Sequence, residues 1–442
     1  MDGNGLWIDE LVRPERVHRR VYADPAIFEL EMDRIFGRAW IYVGHESQVA
    51  KPGDFFRSRV GRQPVVMARH DDGRVYVLHN RCGHRGAMVV SRPCGHADAF
   101  ECCYHGWRFA TDGRLLSVPL RDGYPPDRID LADPKLGMVR LPRVDSYRGF
   151  VFASLAADGP SLADFLGPLA SSFDDLVDRA PDGDVEVAGG VARHVYNGNW
   201  KLIFENLNDG LHPLCVHKSS IEAARAQDDT SFSDGSGEIA VRQMRQNGAP
   251  WDFWEREVGL WAYPHGHSWL GDYHDDTRLV ATGADPAFAD YVAIMERKKG
   301  RERTQRILSV TRWNSNVYPS LSFMSQFRQL RVVQPVAVDR TEVLGFCFRL
   351  KGAPESMFRD TIRFANITNA VASPVLTDDL ETYARIRAGL VSDGTDWIQT
   401  SRGLGTDTAD GNGGMRAVNG TSELHIRNMF GAWADYMRGG AA

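Results

Sequence analysis

The chain has 442 residues, of which 43% are hydrophobic and 25% are charged, and its formal net charge is −6. This length allows two or three domains with a sizeable core, and the composition is typical of a globular enzyme. The charge gives no basic footprint for nucleic acid, and no run approaches eighteen apolar residues, which argues against a membrane span. The N-terminus lacks the regions of a secretory signal, so a cytoplasmic location is expected.

The first predicted element is a helix over residues 24–37, with Gly37 in the left-handed position that ends many helices. Short β-segments follow. Two Asp-Gly pairs, which begin at Asp72 and Asp112, lie between such segments and predict hairpins. A last strand of this region is predicted over residues 147–154.

Two short arms inside this β-rich region carry cysteine and histidine. The first arm is Cys82-Gly-His84 and the second is Cys102-Cys-Tyr-His105. A structural zinc site usually takes both cysteines from one arm and both histidines from the other, whereas each arm here supplies one of each. Mixed arms suit a binuclear cluster with both thiolates on one iron and both imidazoles on the other, which is the Rieske [2Fe–2S] arrangement.

Three further residues compete with these ligands. Cys94-Gly-His96 has the same spacing as the first arm, but it ends only five residues before Cys102. That gap is short for a chain that connects two loops at opposite ends of one cluster, so the pair is assigned to the connection. Cys103 would shorten the second arm to C-x-H, so we assign Cys102 to the cluster and Cys103 to the core.

The longer remainder of the chain is mixed. Its predicted helices and strands cover residues 199–212, 326–333, 342–349, 378–388 and 421–437, and the stretch 403–420 is predicted as a loop. In the helix over 199–212, Glu205, Asp209 and His212 step by four and three residues, so they are expected to share one face. A proline follows, after which His217 can turn back toward His212. Two histidines and a carboxylate on one side of a metal form the facial triad of non-haem Fe(II) oxygenases; a solvated helix face with incidental histidines is the alternative.

Together the two constellations resemble the large (α) subunits of Rieske non-haem iron aromatic-ring-hydroxylating dioxygenases, most closely the benzoate and toluate type. By this resemblance His212 and His217 bind iron, and Asp209 bridges to a cluster histidine of a neighbouring subunit. A late Asp-Asp-x-Glu segment is similar to one in which the second Asp binds iron, which assigns Asp379. Asp378 and Glu205 stay as alternatives for the third ligand.

The resemblance implies an α+β fold. Residues 1–39 would form a helical segment that packs on the catalytic domain, and residues 40–157 would form a small antiparallel β domain holding the Rieske [2Fe–2S] cluster. Residues 158–442 would form a larger catalytic domain, with an antiparallel sheet covered by helices and one mononuclear non-haem Fe(II).

The resemblance also implies the reaction. The chain would be a terminal oxygenase component that uses O₂ to hydroxylate an aromatic ring, that of a benzoate-like carboxylate, to a cis-dihydrodiol or a phenol. NAD(P)H is the ultimate electron donor, but the sequence has no Gly-rich dinucleotide motif, so a separate flavin reductase, with or without a ferredoxin, supplies the electrons. A small β subunit in an α₃β₃ assembly is expected. The alternatives are a Rieske O- or N-demethylase and, in a different class, a Rieske electron carrier without oxygenase activity.

Two arginines are candidates for holding a substrate carboxylate. Arg328 and Arg331 lie in the strand predicted over 326–333, and a guanidinium can hold a carboxylate through two hydrogen bonds. The alternative is that both form structural salt bridges. Three more histidines, His265, His267 and His274, are expected to surround the pocket or to lie on a polar loop.

Overall fold

The computed structural model of the protein describes residues 5–125, 129–227, 238–272, 286–417 and 419–439. The chain divides into two compact units, one formed by Met32–Leu162 and the other by Met1–Glu31 together with Ala163–Ala442. Both units combine antiparallel sheets with helices or turns, which confirms the predicted α+β class. None of the helices within these ranges is long and apolar enough to span a bilayer.

The unit Met32–Leu162 is built from three small antiparallel sheets. In spatial order their strands are Val75–His79, Gln63–Arg69, Asp54–Val60 and Cys94–His96; Leu115–Ser117, Arg108–Phe109 and Phe100–Glu101; and Arg143–Tyr147, Phe150–Ser154 and Ile41–His45. Both predicted hairpins are present. In their tight turns Gly73 and Gly113 take the positive φ values of +81° and +93° that such turns require. The two Cys/His arms lie in loops between these strands: the first follows Val75–His79, and the second connects Phe100–Glu101 to Arg108–Phe109.

Two predicted boundaries in this region were wrong. The single strand expected over 147–154 is a hairpin, because Arg148 and Gly149 both have positive φ and turn the chain back on itself. The helix predicted over residues 24–37 runs from Pro25 to Arg34, and Gly37 does not take the left-handed conformation. Instead the N–H groups of the two residues after Gly37 close the turn on the carbonyl of Ile35.

A nine-stranded antiparallel sheet organises the larger unit. Its strands, in spatial order, are Val185–Tyr196, Arg340–Leu350, Gln329–Ala337, Leu321–Met324, Arg312–Val317, His267–Asp272, Val258–Tyr263, Met415–Ala417 and Thr408–Ala409. The last two come from the stretch 403–420, so the predicted loop in fact adds two short strands to one edge. A separate three-stranded sheet pairs Val12–Arg13, Arg16–His18 and Trp397–Gln399.

The larger unit also contains helices. Within the described residues they are Gly5–Leu11, Arg20–Ala23, Leu162–Leu166, Ala170–Asp178, Lys201–Leu207, Pro213–Val216, Lys218–Ala226, Glu238–Asn247, Trp251–Arg256, Pro286–Lys299, Arg301–Ser309, Glu355–Phe364, Pro374–Gly389 and Leu424–Met437. The last helix buries Phe430, Trp433 and Met437, so its apolar stripe serves packing.

Side-chain hydrogen bonds show which helix covers which face of the sheet. Asn314 and Asn316, two residues apart on one strand, donate to the carbonyls of Leu207 and Phe204 in the helix Lys201–Leu207. Ser315 lies between them and therefore points to the opposite face, where its hydroxyl donates to Ser172. The helix that precedes the two predicted iron-binding histidines thus lies over the face that carries Asn314 and Asn316.

A buried polar cluster ties the N-terminal segment to this helix. The carboxylate of Glu31, fully buried, accepts from the ammonium group of Lys201 at 2.5 Å and from the indole N–H groups of Trp200 and Trp433 at 2.8 and 2.7 Å. Every donor is satisfied, which is the condition under which a buried ion pair is tolerated. The cluster fixes the start of the segment that leads to His212.

Candidate metal centres

The two Cys/His arms form loops with matching hydrogen bonds. In the first loop the N–H of Cys82 donates to the carbonyl of Ala87 at 2.8 Å, and in the second the N–H of Cys102 donates to that of Trp107 at 2.9 Å. Each cysteine carbonyl also accepts, at 3.0 Å, from the N–H of a glycine four residues later that has positive φ. The two arms are therefore copies of one loop geometry, as expected for two clasps on one group.

The side chains of the arms suit a Rieske cluster. Cys82 and Cys102 are buried and form no disulfide, and burial, together with the neighbouring Cys102 thiol, raises the pKa of Cys82. The rings of His84 and His105 have centroids 4.6 Å apart, and His84 stacks on Trp107. His84 Nδ1 is buried with no hydrogen-bond partner in the described part of the chain, so it is free to bind an iron.

The competing residues lie outside this group. Cys94 and His96 are exposed in the strand that pairs with Asp54–Val60, and His96 Nδ1 is 3.0 Å from the carboxylate of Asp54. Cys103 is exposed rather than part of the core, so that expectation was wrong. The reason is geometric: Cys102 points into the loop, and its neighbour at the loop tip points out.

The helix predicted over 199–212 is shorter than expected, and a separate helix follows it. The first ends at Leu207, and the second begins at Pro213, which occupies its first position because a proline lacks the N–H that a helix interior requires. Asp209 lies in the irregular link, where its Oδ1 accepts from the N–H of Leu211 at 2.6 Å. The expectation that Glu205, Asp209 and His212 share one helical face was therefore wrong.

The link nevertheless brings three predicted ligands together. His212 Nε2 and His217 Nε2 lie 3.8 and 3.4 Å from the Oδ1 of Asp379, and ligand atoms of all three residues lie within 4.8 Å of one another. Of the residues that the structure describes, no other set of three Cys, His or acidic side chains meets this criterion. Two imidazoles and one carboxylate facing a common point fit a non-haem iron, with its other positions open.

A second carboxylate lies behind each histidine. His212 Nδ1 is 3.6 Å from Asp209 Oδ2, and His217 Nδ1 is 3.4 Å from Asp378 Oδ2. Such partners fix the orientation and tautomer of metal-binding imidazoles. Burial acts to raise the pKa of Asp209, but His212 and the N–H of Leu211 hold it below the usual value. Asp378 thus lies behind a ligand, whereas Asp379 lies beside both Nε2 atoms.

Glu205, the other alternative ligand, is engaged elsewhere. Its Oε1 accepts from the hydroxyl of Tyr22 at 2.8 Å, and it is absent from the three-residue group. Burial raises the pKa of Glu205 to about 7, against the opposing effects of Tyr22 and Lys201. Glu205 is therefore a buried acid that is half protonated near neutral pH.

This raised pKa predicts a pH-dependent stability. Between pH 4.5 and pH 7 the folded protein keeps a proton on Glu205 that the unfolded chain releases, so this group's contribution to stability is present below pH 4.5 and lost as the pH rises through 7. The variant Glu205→Gln cannot ionise and should therefore gain about 2–3 kcal/mol of unfolding free energy relative to wild type between pH 4.5 and pH 8. Urea unfolding at both pH values measures this gain. Glu222→Gln, at an exposed glutamate, is the control and should show none; an equal effect of Glu205→Gln at both pH values would contradict the prediction.

The two candidate substrate arginines have different environments. Arg328 is not on the strand, which begins at Gln329; it has a φ of +56°, and its guanidinium donates to the hydroxyl of Thr361 and to two backbone carbonyls. Arg331 is on the strand, donates to Asn314 Oδ1 at 3.0 Å, and leaves its buried Nε without a partner among the described residues. Of the two guanidinium groups, only that of Arg331 has a buried nitrogen atom without a hydrogen-bond partner among the described residues.

The three additional histidines also differ in their environments. His267 is buried and neutral, because burial and then the charge on nearby His265 lower its pKa to about 3. Its Nδ1 accepts from the N–H of Tyr318, so its Nε2–H donates to the carbonyl of Phe165. His265 packs against Phe165 in the adjoining turn, and His274 lies outside the described residues. His267 is thus a core residue rather than part of a pocket.

Sequence reasoning missed one residue of the metal centre. Asn206 donates from Nδ2 to the Oδ1 of Asp379 at 3.1 Å, the same oxygen that faces both histidines. Asn206 directly follows Glu205 in the sequence, but helical periodicity gives no reason to expect an amide at that position. It holds the carboxylate of Asp379 in position.

Comparison with protein-family models identifies the class of protein. Residues 39–133 match the Rieske [2Fe–2S] domain, and residues 183–439 match the ring hydroxylating alpha subunit (catalytic domain). The chain belongs to the family of ring-hydroxylating oxygenase α subunits. Members of this family are oxygenase components that work with a ferredoxin or reductase and often with a β subunit.

The most similar relatives include enzymes named for aromatic carboxylates. The chain is 34% identical over 404 residues to the 2-halobenzoate 1,2-dioxygenase large subunit of Burkholderia cepacia, covering 90% of this chain and 82% of that one. It is 33% identical over 397 residues to toluate 1,2-dioxygenase subunit alpha of Pseudomonas putida, covering 88% and 83%. Naphthalene 1,2-dioxygenase from Rhodococcus sp. bound to indole shares the fold, with a TM-score of 0.79 and 24% identity over 97% of this chain and 95% of that one.

These findings confirm the predicted enzyme class and cofactors. The protein is the large subunit of a terminal oxygenase, an oxidoreductase of the ring-hydroxylating dioxygenase type. Its cofactors are a Rieske [2Fe–2S] cluster and a mononuclear non-haem iron, and NAD(P)H is used through a partner reductase. The donor sets of both candidate centres fit these groups.

Proposed function

We propose that Cys82, His84, Cys102 and His105 hold the Rieske cluster, and that the catalytic iron is held by His212, His217 and Asp379. The observation that carries the proposal is the convergence of the last three residues on one point. The matching loops of the two arms support the cluster assignment. By this assignment residues 40–157 form the Rieske domain, residues 158–442 form the catalytic domain, and residues 1–39 pack on the catalytic domain.

The proposed reaction is the hydroxylation of an aromatic carboxylate related to benzoate, to a cis-dihydrodiol. When bound, the two iron groups supply electrons and the site at which O₂ is reduced. The protein's part is to hold three ligands on one side of the iron and leave the other side open. Asn206 fixes the carboxylate of Asp379, Asp378 orients His217, and Asp209 orients His212.

Arg331 is the proposed partner of the substrate carboxylate. Its buried Nε has no partner among the described residues, and none of the described carboxylates forms an ion pair with it. Both named relatives act on aromatic carboxylates, which supports the same class for this chain. Arg328 is left out because protein oxygens already occupy its guanidinium.

The proposed partners follow from the family. A separate flavin reductase, with or without a ferredoxin, would supply the electrons, and a small β subunit would complete an α₃β₃ assembly. None of the six cysteines forms a disulfide, which fits the reducing cytoplasm expected from the sequence.

Metal and sulfide analysis tests this proposal. Protein purified without oxygen should contain about three irons and about two acid-labile sulfides per chain, and should give a Rieske-type EPR signal after reduction with dithionite. His212→Ala should retain the cluster signal and lose one iron together with the conversion of benzoate. Two irons in the wild-type protein would favour the electron carrier, and zinc without sulfide would contradict both assignments.

A further inference from the structure

A row of polar side chains crosses the sheet beside Arg331. In the antiparallel register Asn316 lies opposite Ser322, and Ser322 lies opposite Arg331. Residues directly opposite each other in a sheet point to the same face, so the three side chains form one row. Because Asn316 donates to the carbonyl of Phe204, this is the face covered by the helix that leads to the metal centre.

The row contains polar atoms that the protein leaves without partners. Ser322 is 0% exposed and its Oγ has no hydrogen bond within the described ranges; the same holds for the Nε of Arg331, a residue that is 8% exposed. Buried polar atoms without partners destabilise a folded protein, so adjacent ones mark a place where a ligand can supply the missing hydrogen bonds. The Oδ1 of Asn316, at the end of the row, is also without a partner among the described residues. The Nε of Arg331 is cationic and the hydroxyl of Ser322 can donate, so these two together suit an anionic acceptor.

The sheet also leaves room beside this pair. On its other side Arg331 lies opposite Gly345, which in turn lies opposite Ala192. A side chain at Gly345 would meet only Ala192, at an ordinary contact distance of 3.4 Å. The row therefore has small residues on both sides of Arg331, and a planar group can lie over them.

The pair lies close to the metal centre. Burial lowers the pKa of Arg331 and the carboxylate of Asp379 opposes this, so Asp379 lies near the guanidinium; it shares one face of the helix Pro374–Gly389 with Tyr383. Asn314 accepts a hydrogen bond from Arg331 and donates one to the carbonyl of Leu207. Leu207 is the last residue of the helix before the link that carries Asp209. An anion held here would be next to the iron ligands.

We propose that Ser322 is a specificity-determining residue whose hydroxyl donates a hydrogen bond to the carboxylate that Arg331 binds. This inference rests on the proposed function, because it requires an aromatic carboxylate as the substrate. It adds a second, neutral donor that distinguishes a carboxylate, with two acceptor oxygens, from a ring without one. Ser322 and Arg331 together satisfy both oxygens, and the ligand satisfies both orphaned atoms.

Isothermal titration calorimetry of the anaerobic holoenzyme tests the role of Ser322, with benzoate as the probe and toluene as the analogue without a carboxylate. Ser322→Ala should weaken benzoate binding about 10- to 100-fold and leave toluene binding within about twofold of wild type, since hydrogen bonds to charged groups are the stronger ones. Ser322→Cys keeps nearly the same volume and should weaken benzoate binding in the same direction. Ser315→Ala is the matched control: Ser315 is equally buried one strand away, but it faces the other side of the sheet and bonds Ser172.

The outcomes separate this inference from the proposed function. If Ser322→Ala and Ser322→Cys bind benzoate as wild type does, or lose benzoate and toluene equally, the inference is overturned. In that case Ser322 holds a water molecule or supports packing. If wild-type protein with both metal centres filled binds toluene but not benzoate, the carboxylate substrate itself is wrong. Loss of benzoate binding in Arg331→Gln, together with normal binding in Ser322→Ala, would keep the proposed function and refute only the role of Ser322.

Discussion

Replacing Asp209 with alanine is expected to leave the cluster in place and, even in excess Fe(II) that keeps the mononuclear site filled, to lower turnover to below about one hundredth of the wild-type rate. Asp209 Oδ2 is 3.6 Å from His212 Nδ1, and its Oδ1 accepts from the N–H of Leu211. We propose that Asp209 also accepts from a cluster histidine of a neighbouring subunit, as the family resemblance implies, so its loss removes the connection between the two centres. The steady-state rate with benzoate, iron and sulfide content, and stopped-flow reoxidation of the reduced cluster measure the effect.

Asp378→Ala is the matched control for this experiment. Asp378 stands behind His217 as Asp209 stands behind His212, so both variants lose a carboxylate that orients an iron ligand. Only Asp209 has the proposed second role. Asp378→Ala should therefore weaken iron binding by roughly 10- to 100-fold and recover activity in excess Fe(II), whereas Asp209→Ala should not recover. Near-native reoxidation of the cluster in Asp209→Ala would show that the bridge is not needed.

The Cys/His arms were predictable because their chemistry is local. Each arm is a loop of a few residues, and the spacing within it already determines which side chains can face one point. The same locality explains the error at Cys103. Cysteine is a residue type that is often buried, which suggested a core position for Cys103. At the loop tip, however, Cys102 already points inward, and the adjacent Cys103 is exposed.

The mononuclear centre was harder to derive from periodicity. A continuous helix would have placed Glu205, Asp209 and His212 on one face, but the chain leaves the helix at Leu207. Asp379 comes from a helix more than 150 residues later, and only tertiary packing brings it to the histidines. The family motif carried those assignments, because spacing along one helix contains no information about a distant one.

The substrate arginines show a third limit. Arg328 and Arg331 have the same residue type and lie three positions apart, so sequence reasoning treated them alike. A positive φ at Arg328 removes it from the strand and turns its guanidinium toward Thr361. Burial lowers the pKa of Arg331 to about 10, so it stays charged at neutral pH with an unused donor. Backbone conformation, which the sequence pattern did not specify, separates the two.

His84→Cys is expected to lower the reduction potential of the cluster by roughly 100 mV or more, toward the plant-type ferredoxin value of about −400 mV. A neutral imidazole is replaced by an anionic thiolate, so the reduced cluster carries more negative charge and is harder to form. The structure permits the exchange because His84 Nδ1 has no partner in the described chain, so no hydrogen bond to protein is lost. Protein-film voltammetry and the EPR g-values of the reduced protein measure the change.

His96→Cys is the control for this potential, because Cys94-Gly-His96 has the spacing of the first arm. His96 is exposed and paired with Asp54, so its replacement should leave both the potential and the EPR spectrum unchanged. A shift in His96→Cys with none in His84→Cys would reverse the assignment of the arms. An intact cluster with a wild-type potential in both variants would mean that neither His84 nor His96 is a ligand. The cluster bound by Cys82 and Cys102 would then need other ligands from elsewhere in the chain.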